Sequence, residues 1–217
     1  MKYNNSIVND NVPRMGNAVT RAIGSGLLNL LGWKVEGALP NVPKVILLGE
    51  PHTSNWDFIL IMMAAQSVGF RMSYLMKKEA FSWPLGGFFR WMGGIPIERQ
   101  KGKDAIAAIE NILQKSDNIF LAITPSGSRS PKESFKTGYL RLAHATDTPL
   151  FIIGLHAPTK SIILDQLIDA TGPLKTQNKS IKHYIDANYR GIKPHNQSPN
   201  PLPKKKTNTV IGQRIPS

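Results

Sequence analysis

Val45 to Leu48 is an unbroken apolar run bounded by polar residues, which reads as a short strand buried on both faces. Phe58 to Val68 follows, apolar on most sides, and reads as a helix with little exposure. Further along, Arg71 to Met76, Asn118 to Ile123, Leu150 to Gly154 and Lys160 to Leu164 carry the same strand signature. Ile95 and Ile97 alternate around Pro96, which confines that strand to a sheet edge or an irregular place. Lys103 to Lys115 places Ile106, Ile109, Ile112 and Leu113 at helical spacing, and helices are also expected over Thr137 to Ala145 and Ser180 to Tyr189. Strands that alternate with helices predict an α/β fold, in which sites gather at the ends of strands.

Two segments leave their partner open. From Asn17 to Trp33 the positions Val19, Ile23, Leu27, Leu30 and Leu31 form a helical stripe that Gly24, Gly26 and Gly32 weaken. Such a helix either packs on the domain or lies in a membrane interface with Trp33 as an anchor. Phe81, Trp83, Phe88, Phe89 and Trp91 crowd around Pro84 and the Gly86–Gly87 pair, giving a short, broken aromatic segment. It reads as a lid over the core, or as rings that border an acyl groove or meet lipid. Residues 1–16 are polar and read as a flexible N-terminus. From Lys193 onward, five prolines and the run Lys204 to Lys206 describe a disordered basic tail, either a solvated charge run or a tether to an anionic bilayer. The expected organisation is one domain over 17–192, with 17–33 as a candidate interfacial helix and 193–217 as tail.

Composition narrows the partners. The 217 residues and 41% hydrophobic content suit one packed domain, and the formal net charge of +13 favours anionic partners. A nucleic-acid reader motif is missing, so specific nucleic-acid binding is not expected. With no cysteine there is no thiolate nucleophile and no cysteine metal site, which is compatible with a reducing cytoplasm. No stretch reaches the roughly eighteen apolar residues of a membrane span, and the N-terminus lacks a signal-peptide layout. A cytoplasmic protein, peripheral at the inner face of the membrane, is the expectation.

The candidate chemistry begins at Pro51-His-Thr-Ser-Asn-Trp-Asp57, where the first strand hands over to a helix. On a continuous helix, His52 and Asp57 would lie about 140° apart, so they can meet only if His52 precedes the first turn. Ser54 or Asn55 can cap the helix, which places Asp57 in that turn, at the positive end of the helix dipole. By itself the pair also fits a loop histidine bonded to a capping carboxylate. Arg99 ends the Ile95–Ile97 strand, where a guanidinium suits a bidentate phosphate contact. Thr124-Pro-Ser-Gly-Ser-Arg-Ser130 is a turn with accessible backbone N–H groups and a fixed charge at Arg129, able to hold an anion.

Four ordered blocks together resemble the glycerolipid acyltransferase superfamily, which includes lysophosphatidate and glycerol-3-phosphate acyltransferases. They are His52-Thr-Ser-Asn-Trp-Asp57 (an HX4D motif), Gly94-Ile-Pro-Ile-Glu-Arg99, Thr124-Pro-Ser-Gly-Ser-Arg129-Ser and Thr148-Pro149-Leu-Phe-Ile-Ile. The resemblance implies a single α/β domain with a mixed, largely parallel sheet flanked by helices. It also implies transfer of a fatty acyl group from an acyl-coenzyme A or acyl-carrier-protein thioester, a co-substrate rather than a resident cofactor, to a hydroxyl of a lysolipid acceptor. In that family the residue matching His52 is the general base and the one matching Asp57 orients it. Gly94, Arg99, Ser126, Gly127, Ser128 and Arg129 match positions associated with the acceptor and its phosphate, and Pro149 is linked more loosely to the donor or to the fold. No metal is implied.

One position departs from the family. The third block ordinarily reads Pro-Glu-Gly-Thr-Arg, and Ser126 stands in the glutamate's place. This removes a charge from the acceptor site, and Glu98 and Glu133 are the carboxylates considered as substitutes. A non-catalytic lipid- or partner-binding relative of the same fold is the alternative reading.

Overall fold

The apolar runs become the inner strands of one seven-stranded sheet. In chain order the computed structural model, which describes residues 10–98, 103–130 and 132–197, contains α1 (Ala18–Leu30), β1 (Lys34–Gly37), β2 (Lys44–Glu50), α2 (Asn55–Val68) and β3 (Met72–Lys77). Then follow α3 (Gly86–Trp91), β4 (Gly94–Ile97), α4 (Lys103–Lys115), β5 (Ile119–Ile123), α5 (Gly138–Thr146), β6 (Leu150–His156), β7 (Ser161–Ile168) and α6 (Leu174–Asn188). The strand order is β1-β7-β6-β2-β5-β3-β4. Every pairing is parallel except β6 with β7. This is the mixed, largely parallel α/β sheet that the sequence predicts. Pro96 lies in β4, an edge strand, where its missing N–H costs no ladder bond.

Strand alternation divides the core into two layers. Val45 and Leu47 of β2, Phe120 of β5 and Phe151, Ile153 and Leu155 of β6 face the layer covered by α1 and α2. Ile46, Leu48, Leu121, Leu150 and Ile152 face the opposite layer, which α4, α5 and α6 close with Leu113, Leu140, Ile181 and Ile185. An unbroken apolar run is what a strand with both faces covered requires.

The chain therefore leaves β2 on one face, toward α2, and leaves its neighbour β5 on the other, toward α5. Two adjacent parallel strands whose connections diverge open a crevice at their C-terminal ends, the place where α/β sheets bind ligands. The loop of His52 and the turn of Ser126 are the two walls of that crevice.

Trp33, the anchor in the interfacial reading of α1, is buried in the core. α1 packs on α2 through Gly24 and Leu28, not through its exposed apolar stripe. A Cβ at Gly24 would lie 2.8 Å from the Ser67 amide nitrogen and 3.1 Å from the Met63 carbonyl, so a bare backbone lets the helices close. Val19, Ile23, Leu27, Leu30 and Leu31 point outward, with Leu30 82% exposed. Among the aromatic residues, Phe81 is buried beside Phe89, as a lid requires, whereas Trp83, 93% exposed, and Phe88 and Trp91 face outward.

Both ends of the domain extend beyond the boundaries expected from sequence. Val12 and Met15, assigned to a flexible N-terminus, are buried, and Arg71 donates its backbone N–H to the Pro13 carbonyl. Residues 193–197, assigned to the tail, fold over the His52 loop through bonds described below. Arg99 and residues 198–217 lie outside the described residues.

Candidate active site

Asp57 organises the His52 loop. Ser54 is the N-cap of α2, its backbone extended, and its side chain accepts the Trp56 N–H. Asp57 sits three positions on and completes the capping box. Its Oδ2 accepts the Ser54 N–H at 2.6 Å, the Thr53 N–H at 2.5 Å and the Thr53 hydroxyl at 2.9 Å, and Oδ1 accepts the Ile192 N–H at 3.4 Å. The carboxylate is fully buried. Four donors on one buried carboxylate fix the loop that precedes the helix, so His52 is held outside the first turn, as the spacing requires.

His52 is half-buried, and its backbone N–H donates to Glu50 Oε2 at 3.0 Å. Among the described residues its ring makes no hydrogen bond to Asp57; the two interact through charge. Burial pushes the imidazole below its ordinary pKa, the Asp57 charge opposes that shift, and the Arg129 charge reinforces it. The net shift favours the neutral ring, the form that can accept a proton.

The third block meets this loop directly. Arg129 donates to Asn55 Oδ1 at 2.5 Å, across 74 residues of sequence, and so ties the turn after β5 to the start of α2. Within the turn, the Ser126 hydroxyl donates to the Ser128 carbonyl and the Gly127 N–H to the Thr124 carbonyl. Gly127 has φ +61°, a left-handed conformation that glycine adopts without strain. His52, Thr53, Ser126 and Ser128 line one small cavity of about 30 Å³, with Glu50 and Lys182 in its wall. It has room for roughly one or two waters, the size of a reacting hydroxyl rather than of a whole lipid.

Not every candidate converges here. Gly94 opens β4, three strands from β2 and so about 14 Å away at the usual strand spacing. A Cβ there would meet the Phe89 carbonyl at 2.8 Å and the Phe81 ring at 3.1 Å, which makes Gly94 a packing position under the aromatic lid. Pro149 lies at the opposite end of the sheet. It precedes β6, gives its carbonyl to the Ile46 N–H, and is five residues, about 16 Å, below Gly154, the partner of Glu50. That placement suits its role in the fold and puts it away from His52.

Three contributors escape a linear reading. Glu50, the last residue of β2, is buried, and it accepts the His52 and Ser126 N–H groups. Burial pushes its carboxyl up in pKa, against the pull of the Ser126 and His52 hydrogen bonds and of the Lys182 charge. Thr53, besides holding Asp57, accepts the Lys193 N–H at 3.1 Å on its hydroxyl and the Asn196 Nδ2 at 3.0 Å on its carbonyl. Gln197 closes the same segment by donating to the Tyr189 carbonyl. A charged residue at the end of an apolar strand was the one available signal for Glu50. Nothing in the pattern announces the 193–197 segment, because its hold is made of polar bonds to distant residues. Glu98, considered as a substitute carboxylate, instead pairs with Lys78 on the surface.

A family model described as Acyltransferase matches residues 34–155, from the start of β1 into β6. Comparison with curated proteins finds no match. Among solved structures, the crystal structure of the 1-acyl-sn-glycerophosphate (LPA) acyltransferase PlsC from Thermotoga maritima is similar, with a TM-score of 0.55 at 16% identity, over 77% of this chain and 75% of that one. Likeness at that identity speaks for the fold.

Proposed function

The chain belongs to the acyltransferase family, and from that premise we propose that it moves a fatty acyl group from an acyl-coenzyme A or acyl-carrier-protein thioester to a hydroxyl of a lyso-phospholipid or related glycerolipid. The observation that carries the reading is the placement of His52: a half-buried imidazole at the crevice between β2 and β5, beside a cavity sized for a hydroxyl and near the cationic Arg129 turn. The ring takes the acceptor's hydroxyl proton as that oxygen attacks the thioester carbonyl. The carbon–sulfur bond then breaks, and the imidazolium returns the proton to the departing thiolate. Because the acceptor attacks directly, no protein nucleophile is needed. Asp57 serves by holding the loop and by favouring the imidazolium through its charge. Ser128 and Arg129 supply hydroxyl and charge for the acceptor's phosphate.

The pH profile tests the assignment of the base. The acid limb of kcat/KM should lie below about pH 6.5, the ordinary imidazole value. Replacing Arg129 with glutamine removes a positive neighbour, favours the imidazolium and should move that limb to higher pH. A limb that stays put or moves to lower pH would separate Arg129 from the titrating group.

The same reading places the protein peripherally on the inner face of an anionic membrane. No helix among the described residues is long and apolar enough to cross a membrane. The outward stripe Val19, Ile23, Leu27 and Leu30 instead suits an in-plane position in the headgroup region, and the net charge of +13 favours an anionic surface. Changing those four residues to serine leaves the Gly24–Leu28 packing face intact, so the fold should hold. Sedimentation with vesicles of phosphatidylglycerol and phosphatidylethanolamine should show affinity lower by roughly tenfold or more, since each apolar side chain contributes up to about 1.5–3 kcal/mol on full burial. Unchanged sedimentation would remove α1 from the membrane-binding surface.

A further inference from the structure

Ser126 occupies the position where the family's third block carries a glutamate, and a carboxylate from the neighbouring strand lies directly beside it. Glu50 Oε1 accepts the Ser126 N–H at 2.8 Å, and the Ser126 hydroxyl also interacts with this carboxylate. Its Oε2 accepts the His52 N–H at 3.0 Å. Glu50 and Ser126 are both buried, and both line the cavity beside His52. A glutamate at position 126 would bring a second carboxylate into a space that already holds one, where two like charges cannot both ionise cheaply. The two positions thus complement each other: a small hydroxyl on the turn, and the acid on the neighbouring strand.

We propose that Glu50 is the relocated acidic member of the third block, a positioning residue that clamps the His52 loop to the Ser126 turn and keeps the acceptor site for a phosphorylated glycerol hydroxyl. The inference rests on the acyl-transfer reading above and adds to it the residue that sets the acceptor. Of the other charges in the wall, Lys182 of α6 lies near Glu50 and is paired with Asp186, and Lys132 also lines the cavity; Arg129, outside the wall, is tied to Asn55. Glu50 is the carboxylate whose two oxygens bond both the His52 loop and the Ser126 turn.

A four-member cycle tests this: the parent, Glu50→Ser, Ser126→Glu, and the double variant. With an acyl-coenzyme A donor and lysophosphatidate as acceptor, Glu50→Ser should raise the acceptor KM about tenfold while leaving the thioester KM unchanged, a split that loss of folded protein does not produce. Ser126→Glu alone should lower kcat/KM by about tenfold or more, and the double variant should recover most of the loss, because residues in contact couple non-additively. Single losses that multiply in the double variant would overturn the proposal. Thermal unfolding of the same four proteins needs no activity. Ser126→Glu should lower Tm in the parent and much less in the Glu50→Ser background, and an equal drop in both would show that the positions are not coupled. A parent that transfers no acyl group would defeat the acyl-transfer reading, while the Tm cycle would still decide whether Glu50 and Ser126 form one site.

Discussion

Replacing His52 with alanine should lower acyl transfer by about 10²–10⁴-fold, the usual contribution of a positioned general base, while leaving the fold nearly as stable as the parent. The expectation of intact folding comes from the ring's surroundings. His52 is half-buried, and its only hydrogen bond among the described residues is made by its backbone N–H, which alanine keeps. The loop itself is held by Asp57 through its neighbours Thr53 and Ser54. Steady-state turnover with an acyl thioester, measured beside a thermal melt, separates the two effects. Activity within a few-fold of the parent, at an unchanged melt, would exclude His52 as the base.

Asp57→Ala should behave differently and cost both stability and activity. The buried carboxylate gathers four donors, three from the Thr53–Ser54 loop and one from Ile192, and removing it leaves buried N–H groups without a partner. A loss on the order of 3 kcal/mol is expected, since hydrogen bonds to a charged group contribute about 1.5–3 kcal/mol each and the loop can relax to recover part of that. Asp57→Asn should fall between alanine and the parent, because one amide oxygen can still accept while the NH2 group faces donors. The measurement is the urea midpoint of each variant, with turnover of the folded fraction. An Asp57→Ala protein that melts like the parent yet loses as much activity as His52→Ala would place Asp57's action on the imidazole ring and not on the loop.

The two variants show how far a linear reading reaches. Local chemistry was legible: a cap at Ser54 and a carboxylate in the first turn are matters of neighbouring residues, and both stand where the spacing puts them. The inner strands were legible too, because burial on both faces leaves an unbroken apolar run. Short polar edges were not. β1, Lys34–Gly37, is mostly exposed and carries no alternation to betray it. Periodicity located the stripe of α1 but not its direction, since the side that packs is the one with Gly24, where the absence of a side chain is the contact. Contacts between distant residues stayed hidden for a related reason. Arg129 with Asn55, Glu50 with Ser126 and Asn196 with Thr53 are polar contacts across 74 to 143 residues, and no pattern of hydrophobicity encodes them.

Block order carried what local pattern did not. The His52 loop and the Ser126 turn belong together because β2 and β5 are adjacent and parallel and send their helices to opposite faces. Gly94 and Pro149 belong to the same ordered blocks but serve elsewhere, one under the aromatic lid and one at the far end of the sheet. A motif's position in a chain therefore marks fold and site alike, and only the topology separates them.

The most direct test of the whole account is thiol release by the purified protein from an acyl-coenzyme A or acyl-carrier-protein thioester, run against a panel of lysolipid acceptors with the acylated product identified. The account predicts release that depends on an added lysolipid hydroxyl, with one acylated lipid formed per thiol. Release that ignores the acceptor, or none with any donor and acceptor, would contradict it.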